Sequence, residues 1–266
     1  MIKAMPRFYV LATFSKLSVI FALSLAFINC ASVPREGRTL PKEKDPQYQY
    51  ELAVTAMRYG LPDEALKYLN QAVSLDPNHY ASYFLSGAIQ SQKRNFREAE
   101  AAFLRCVEIR PEAAEAHLRL GYVYQEMLEL EKAEEEYKKA GAMDGNVEAS
   151  ISLAKLYYDQ NRLEQALEAI TRATEKDRRS FAAFNLQGVI FNELGRYSEA
   201  VSSFRNALRI DSQNEVASIN LAAALINTGN IQDARELLEK ILERVKDENL
   251  RKRILEYLEK IKEHLI

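Results

Sequence analysis

Small and apolar residues recur along this chain with a nearly constant period. The clearest copy is residues 95–111, NFREAEAAFLRCVEIRP, in which apolar residues share one helix face and a proline follows. An alanine after an acidic or polar pair marks the same point in six copies, namely Ala65, Ala99, Ala133, Ala166, Ala200 and Ala234. Their separations are 34, 34, 33, 34 and 34 positions. Such a period predicts a stacked array of helical units, none of which buries its apolar face alone.

A second small residue, twelve positions before each alanine, predicts that every unit begins with another helix. These residues are Ala53, Gly87, Gly121, Ala154, Gly188 and Ala222. Small side chains allow two helix backbones to approach closely, while larger neighbours fill the space beside them. We therefore predict that the repeats pack through Ala65, Gly87, Ala99, Gly121, Ala133, Ala166, Gly188, Ala200 and Ala234. Cys106 occupies a third small position and is predicted to be a buried helix contact.

The period and the residue types resemble the tetratricopeptide repeat (TPR), with its G/A-x2-Y…A-x3-F/Y/L…A…P signature. The resemblance covers roughly 200 residues, or six steps of the period. It implies an all-α fold: a right-handed superhelical solenoid of about six helix-turn-helix repeats with a C-terminal capping helix. The chain departs from the signature at the start of each unit, because it contains no tryptophan.

The same alignment predicts the domain boundaries. Six repeats are expected at 46–79, 80–113, 114–146, 147–180, 181–214 and 215–248. Asp45 is suited to cap the first helix and Pro46 to begin it. Residues 249–266 lack the repeat signature, but their apolar residues step by 3 or 4 along one helix face. We predict a capping helix over the exposed end of the array; the alternative is a dimerising helix with the same stripe.

The N-terminal region differs from the repeats. The only charges in its first 30 residues are Lys3, Arg7 and Lys16, no acidic residue appears before Glu36, and residues 17–28 form an unbroken apolar run with two serines. A basic segment followed by a short apolar run predicts a signal peptide over residues 1–29. The run is short for a membrane span, which needs about 20 residues.

Cys30 directly follows this apolar run, and residues 27–30 resemble a bacterial lipobox. The resemblance implies cleavage before Cys30 and attachment of a lipid to its thiol, with residues 30–45 as a flexible linker. Ala31, rather than aspartate, follows the cysteine, which by analogy favours the periplasmic face of the outer membrane. The alternatives are an uncleaved membrane anchor and ordinary secretion.

Composition and motifs point away from several classes of protein. The net charge is −2, and about −5 without the three N-terminal bases, which argues against a nucleic-acid partner. No nucleophile-elbow, P-loop or zinc-protease motif occurs. His79, His117 and His264 are too scattered to suggest a metal site. We expect no catalysis, cofactor, metal or small-molecule substrate. The carboxylates of unit three, Glu131 and residues 134–136, are interpreted as a solvated helix face.

What remains is a binding surface. The TPR resemblance implies that the first helices line a concave groove that binds a protein or peptide. The implied groove residues are Tyr50, Val54, Met57, Phe84, Leu118, Tyr122, Ile151, Tyr158, Val189, Asn192, Ile219 and Ile226. Their mostly apolar and aromatic character suits a peptide laid along them. The alternative is that several of them contact the next unit instead.

A lipid-anchored array of six such repeats resembles the type IV pilus pilotin lipoproteins. Those proteins bind the outer-membrane secretin and help it reach the membrane and assemble. The functional prediction is therefore a non-catalytic scaffold tethered to the bacterial cell envelope, with the pilotin as a special case. A regulator of a cell-envelope enzyme is the other alternative, since it would use the same surface with a different partner.

Overall fold

The computed structural model describes residues 42–143 and 146–263. The predicted signal peptide at 1–29, Cys30, most of the predicted linker and His264 lie outside this range. Within it, thirteen α-helices follow a 3₁₀ turn at Lys42–Lys44, and there is no strand. The helices are α1 Pro46–Arg58, α2 Pro62–Leu75, α3 Tyr80–Gln92, α4 Phe96–Ile109, α5 Ala114–Glu126, α6 Leu130–Ala142, α7 Val147–Asp159, α8 Leu163–Lys176, α9 Phe181–Glu193, α10 Tyr197–Ile210, α11 Glu215–Asn227, α12 Ile231–Leu242 and α13 Glu248–Glu263. The predicted all-α repeat fold is confirmed.

The first helix begins as its sequence predicts. Asp45 accepts a hydrogen bond from the Gln47 amide at 2.9 Å, and Pro46 occupies the first helical position. The end of the predicted flexible linker is more ordered than expected. Residues 42–44 form the 3₁₀ turn, and the Gln49 side chain donates to the Glu43 carbonyl at 2.9 Å.

Six helix pairs, from α1–α2 to α11–α12, pack against one another in sequence order. Each second helix also packs against the first helix of the next pair. First helices contact each other across units at α3–α5, α7–α9 and α9–α11. The first helices therefore stand side by side and share one face of the array, which we call the inner face.

The turn inside each pair contains one residue in the left-handed region. These residues are Gly60, Arg94, Leu128, Asn161, Gly195 and Gly229. The amide after each one donates back to the first helix, as from Leu61 to Ala56 at 3.0 Å and from Arg162 to Tyr157 at 2.8 Å. This arrangement satisfies carbonyls that the helix end would otherwise leave unpaired.

The small residues lie where two helices meet. All nine predicted repeat-packing positions are buried. Gly87, Gly121 and Gly188 each face a fully buried aromatic ring of the second helix, from Phe103, Tyr137 and Phe204. A Cβ atom at these glycines would lie 2.8, 2.6 and 2.7 Å from the ring carbons. Glycine is therefore needed at these positions because the ring occupies the volume of a side chain.

The last helix, α13, packs against α11 and α12. Its Ile254 and Ile261 are fully buried, and the Arg253 guanidinium donates to the Asn220 side-chain oxygen at 3.2 Å. Arg251 donates to the Leu242 carbonyl at 3.1 Å, the acceptor being near the end of α12. Through these contacts α13 covers apolar surface of the sixth unit.

Candidate functional site: the inner face

Seven of the twelve implied groove residues are half-buried on the inner-face helices. They are Val54, Met57, Phe84, Tyr122, Ile151, Val189 and Asn192. Most are apolar, and they come from α1, α3, α5, α7 and α9, so an apolar stripe runs over five consecutive units. A surface of this kind can accept an extended or helical polypeptide.

The other five groove residues are buried. Leu118 and Ile219 are 0% exposed, so the prediction that they contact a partner is wrong for the folded chain. Tyr50, Tyr158 and Ile226 retain 7–8% exposure. Tyr50 packs against His79 of the connection to the second unit, with the ring centres 5.8 Å apart. The physical reason is that neighbouring units pack closely. They cover part of the surface that each first helix would expose if it stood alone.

Tyr122 belongs both to the inner face and to the packing between units. Its ring lies edge-on to Tyr137, with 5.5 Å between centres. Its hydroxyl shares a 2.8 Å hydrogen bond with Ser152 on α7, and burial raises its pKa. Tyr122 therefore fixes α5 against α7 while its half-buried ring contributes to the surface.

Two asparagines on α9 are exceptions among these mostly apolar residues. The side-chain oxygens of Asn185 and Asn192 are buried, and neither accepts a hydrogen bond from the described protein. The residues at the equivalent places of the neighbouring first helices are Ile151 and Tyr158 on α7, and Ile219 and Ile226 on α11. The two carboxamides therefore interrupt an otherwise mostly apolar surface.

A polar pair lies beneath the inner face in the third unit. His117 Nδ1 is 2.5 Å from Glu136 Oε2, and His117 Nε2 is 2.9 Å from the Pro111 carbonyl oxygen, to which it donates. His117 and Glu136 are both buried, with 6% and 8% of their surface exposed. The Lys139 ammonium lies 2.8 Å from Oε1, the other carboxylate oxygen of Glu136. The interpretation of Glu136 as a solvated carboxylate is wrong. Its spacing from Ala133 and Ala140 places it on the buried stripe of α6, a signal already present in the sequence.

A second polar cluster joins the third unit to the fourth. Glu134 on α6 receives hydrogen bonds from Arg162 at 2.6 Å, Lys138 at 2.6 Å and the Tyr157 hydroxyl at 2.9 Å. The Arg162 guanidinium also lies 4.3 Å from the centre of the Tyr157 ring. Arg162, followed by Lys138 and Tyr157, lowers the pKa of Glu134 from its ordinary 4.5 to about 2, against the opposing effect of burial.

This cluster should make the stability depend on acid pH. We expect Glu134→Gln to lower the free energy of unfolding by about 1–2 kcal/mol at neutral pH, because three donors lose their charged acceptor. The folded pKa is depressed, so the stabilisation is complete above about 4.5 and disappears as pH falls towards about 2. Urea titrations through this window check the expectation. A difference between variant and wild type that stays constant with pH would contradict it.

Two kinds of reactive group can be located among the described residues, namely metal-ligating side chains and the thiol of Cys106. Among residues 42–143 and 146–263, no three His, Cys, Asp or Glu side chains are grouped so that they could hold a metal ion. Cys106 is fully buried, and burial raises the pKa of its thiol to about 12, which suppresses the reactive thiolate. None of the helices in the described part of the chain is both long and apolar enough to cross a membrane.

The geometry above is that of a helical-repeat interaction protein. Family models described as tetratricopeptide repeat match residues 46–79, 80–112, 114–146, 151–215 and 192–254. The chain therefore belongs to the tetratricopeptide repeat family, a protein-interaction fold.

Relatives in this family include proteins of type IV pili. The type IV pilus assembly protein PilF of Pseudomonas aeruginosa is 27% identical over 159 residues, which cover 58% of this chain and 63% of PilF. The TPR repeat-containing protein MJ1428 of Methanocaldococcus jannaschii is 24% identical over 247 residues, covering 89% of this chain and 43% of that protein. In both cases the match spans less than two thirds of the relative's length.

Solved structures share the fold. PilW, described as a widely conserved type IV pilus biogenesis factor, superposes with a TM-score of 0.65 at 16% identity, over 79% of this chain and 98% of PilW. YrrB, described as a TPR protein with an unusual peptide-binding site, gives a TM-score of 0.58 at 21% identity, over 69% of this chain and 95% of YrrB. At these identities the likeness concerns the fold alone.

Proposed function

We propose that this protein is a non-catalytic scaffold, tethered to the bacterial cell envelope, that binds a partner polypeptide on its inner face. The observation that carries the proposal is the half-buried apolar stripe from Val54 to Val189 on side-by-side first helices. Apolar surface left open on otherwise well-packed helices is typical of interaction sites. The N-terminal apolar run and Cys30 support the tether. In this proposal a lipid attached to Cys30 holds the protein in the membrane, and the repeats lie on the periplasmic side.

A pilotin-like role in type IV pilus assembly is the more specific candidate. Its support is the combination of a lipobox-like leader with similarity to PilF and to the PilW structure. In this role the partner would be the outer-membrane secretin, and the inner face would hold a segment of it during assembly.

Negative charge introduced on the inner face should prevent binding of the partner polypeptide. We expect the double substitution Ile151→Glu/Val189→Glu to reduce partner recovery by at least about tenfold, because two desolvated carboxylates would oppose apolar contact. Affinity capture of the full-length protein from membranes of the source organism, followed by mass spectrometry, measures the loss. Circular dichroism verifies that the variant keeps its helical content.

Leu104→Glu is the matched control, because Leu104 is a leucine on the second helix α4 with 37% exposure. It should retain every partner that the inner-face variant loses. Recovery of the same partners by the inner-face variant would contradict the proposed site. A Cys30→Ala protein, in turn, should leave the membrane fraction and no longer incorporate labelled palmitate.

A further inference from the structure

A cavity opens on the outer face of the array, which is the face that the second helices form. It lies between α2 and α4, above α3, and has a volume of about 200 Å³. Ser86, in its floor, is two residues from the inner-face residue Phe84, which is about 200° of rotation around α3. The cavity is therefore distinct from the apolar stripe of the inner face. Most of its lining is apolar or small, and it includes Leu69, Val73, Tyr83, Ser86, Ala102 and Arg105.

The cavity exists because a serine stands where the repeat usually has a leucine. Thirteen positions before the alanine that marks each unit, four of the six units carry leucine. Three of these leucines, Leu120, Leu153 and Leu221, are only 1%, 5% and 7% exposed. The second unit has Ser86 at this place, and Ser86 is half-buried. Its short side chain leaves unfilled the volume that leucine occupies in the other units.

The buried core is interrupted at the same place. Leu69 and Leu85 belong to one cluster of buried apolar side chains, whereas Phe103 belongs to the next cluster, against which Tyr83 packs. The cavity contacts both clusters, because Leu69 and Tyr83 line it. An apolar group that enters the cavity would therefore join the two clusters, and its removal from water would be favourable.

The size of the cavity limits what can enter. Sites for cofactors and drug-sized ligands measure roughly 300–1,000 Å³, so a volume of about 200 Å³ is too small for them. An apolar cavity of about 150 Å³ is known to hold benzene, so a single aromatic ring fits. The Tyr83 ring in the wall offers an edge or a face to such a ring. Aromatic side chains that fill pockets of this kind are frequent anchors of protein interfaces.

A cation at the rim restricts the partner further. Among the described residues that line the cavity, Arg105 is the only charged one. Its guanidinium carbon lies 5.7 Å from the centre of the Tyr83 ring, and its Nη2 donates to the Pro77 carbonyl at 3.4 Å. Glu108 is bound through Nη1, so the guanidinium, with five N–H groups, retains donors for another acceptor. A carboxylate next to the entering ring is the group that this cation favours.

From these observations we infer that the outer-face cavity binds an aromatic side chain of a partner polypeptide in which an aspartate or glutamate adjoins the aromatic residue. The ring fills the space that Ser86 leaves, and the neighbouring carboxylate binds the Arg105 guanidinium. This contact goes beyond the proposed function, because it lies on the second helices and does not use the inner face.

The probe is N-acetyl-aspartyl-phenylalanine amide, added to the full-length protein and followed by methyl NMR. We expect the signals of Leu69 and Val73 to shift, with a dissociation constant in the millimolar range. N-acetyl-aspartyl-alanine amide lacks the ring and should bind at least about tenfold more weakly. Hexanoate, which carries a carboxylate on an acyl chain, should also bind at least about tenfold more weakly, because it offers no ring to Tyr83.

Replacing Arg105 by glutamine tests the role of the cation. We expect Arg105→Gln to weaken binding of the aspartyl probe about fivefold and to leave binding of N-acetyl-asparaginyl-phenylalanine amide unchanged, because only the first probe carries a carboxylate. A structural role of Arg105 would weaken both probes equally. Arg172→Gln is the matched control, since Arg172 has the same place in the fourth unit, where Leu153 replaces the serine. It should leave the affinity for both probes unchanged.

Replacing Ser86 by leucine tests the cavity itself. The new side chain should occupy the cavity, so we expect binding of the aspartyl probe to be lost. The melting temperature of the unliganded variant should rise by about 2–4 °C, because the leucine adds apolar contact without displacing another side chain. A lowered melting temperature would show that no space exists beside Ser86, and would overturn the inference.

Further outcomes would also overturn it. They are the absence of any shift at Leu69 and Val73, undiminished binding to Ser86→Leu, and equal weakening of both phenylalanine probes by Arg105→Gln. Binding of hexanoate as tight as that of the aspartyl probe would show that the cavity accepts an acyl chain, which would also contradict an aromatic side chain as the ligand.

The experiments separate this inference from the proposed function. Ile151→Glu/Val189→Glu changes only the inner face, so it should lose the captured partner and still bind the aspartyl probe. Ser86→Leu should lose the probe whether or not the inner face binds a polypeptide. If the inner-face variant keeps its partner while Ser86→Leu loses the probe, the proposed function fails and the outer-face inference stands.

Discussion

Replacing His117 by leucine is expected to lower the free energy of unfolding by about 3 kcal/mol. The substitution leaves the Glu136 carboxylate buried with Lys139 as its remaining ionic partner and leaves the Pro111 carbonyl without its donor. Removing one member of a buried polar pair lowers the free energy of unfolding by more than the intact pair contributes to it. The reason is that the other member stays buried without its partner. Urea titration of the full-length protein measures the change.

A double-mutant cycle tests the physical reason. Glu136→Leu alone should also destabilise, because His117 Nδ1 loses its hydrogen-bonding partner. His117→Leu/Glu136→Leu should recover most of the loss, since two apolar residues of similar volume leave no buried charge. Lys139 remains paired with Glu135 at 2.8 Å in that variant. If the double variant loses the sum of the two single effects, the two side chains are not coupled.

Replacing Gly121 by alanine is expected to lower the free energy of unfolding by about 1–3 kcal/mol. The new methyl group would lie 2.6 Å from two carbons of the Tyr137 ring. Tyr137 is fully buried, and its hydroxyl donates to Gln125 at 2.9 Å, so the ring has no free space to enter. The helices α5 and α6 would have to separate at the centre of the third unit. Thermal or urea unfolding measures the loss.

Gly141→Ala is the matched control on α6. The nearest atom to its added methyl group is Ser150 Oγ at 3.5 Å, which is ordinary contact. Alanine is the better helix former, so this variant should gain about 0.5–1 kcal/mol. Because the same propensity gain applies at Gly121, the difference between the two variants isolates the clash. Equal stability of the two variants would show that α5 and α6 can adjust to the extra methyl group.

Several features of the inner face could be predicted from the sequence, and others could not. The TPR resemblance implies that the first helix of each pair lines a groove, and residues such as Val54, Ile151 and Val189 are half-buried on first helices. Leu118 and Ile219 occupy the same place in their repeats as Ile151 and yet are fully buried. Periodicity identifies the face of a helix, but the neighbouring units determine how much of that face they cover.

The environments of the buried polar side chains were even harder to predict from the sequence than the burial of the apolar ones. The alternation of neighbouring carboxylates with lysines favours a solvated Glu136, and no local pattern indicates that His117, 19 positions away in sequence, lies 2.5 Å from it in space. The unpaired oxygens of Asn185 and Asn192 are likewise invisible in the sequence, since an asparagine on a helix usually finds water or a partner.

By itself, the amino-acid sequence determined the all-α repeat architecture of this protein. A period of about 34 residues, with glycine or alanine where helices meet, predicts a stack of helix pairs, because each unit must bury its apolar stripe against the next. Only the tertiary structure decided which groove side chains stay open, that Glu136 pairs with His117, and which amide oxygens lack a hydrogen-bond partner. The physical reason is that these properties depend on the rotation and spacing between units, and those arise from contacts among side chains far apart in the chain.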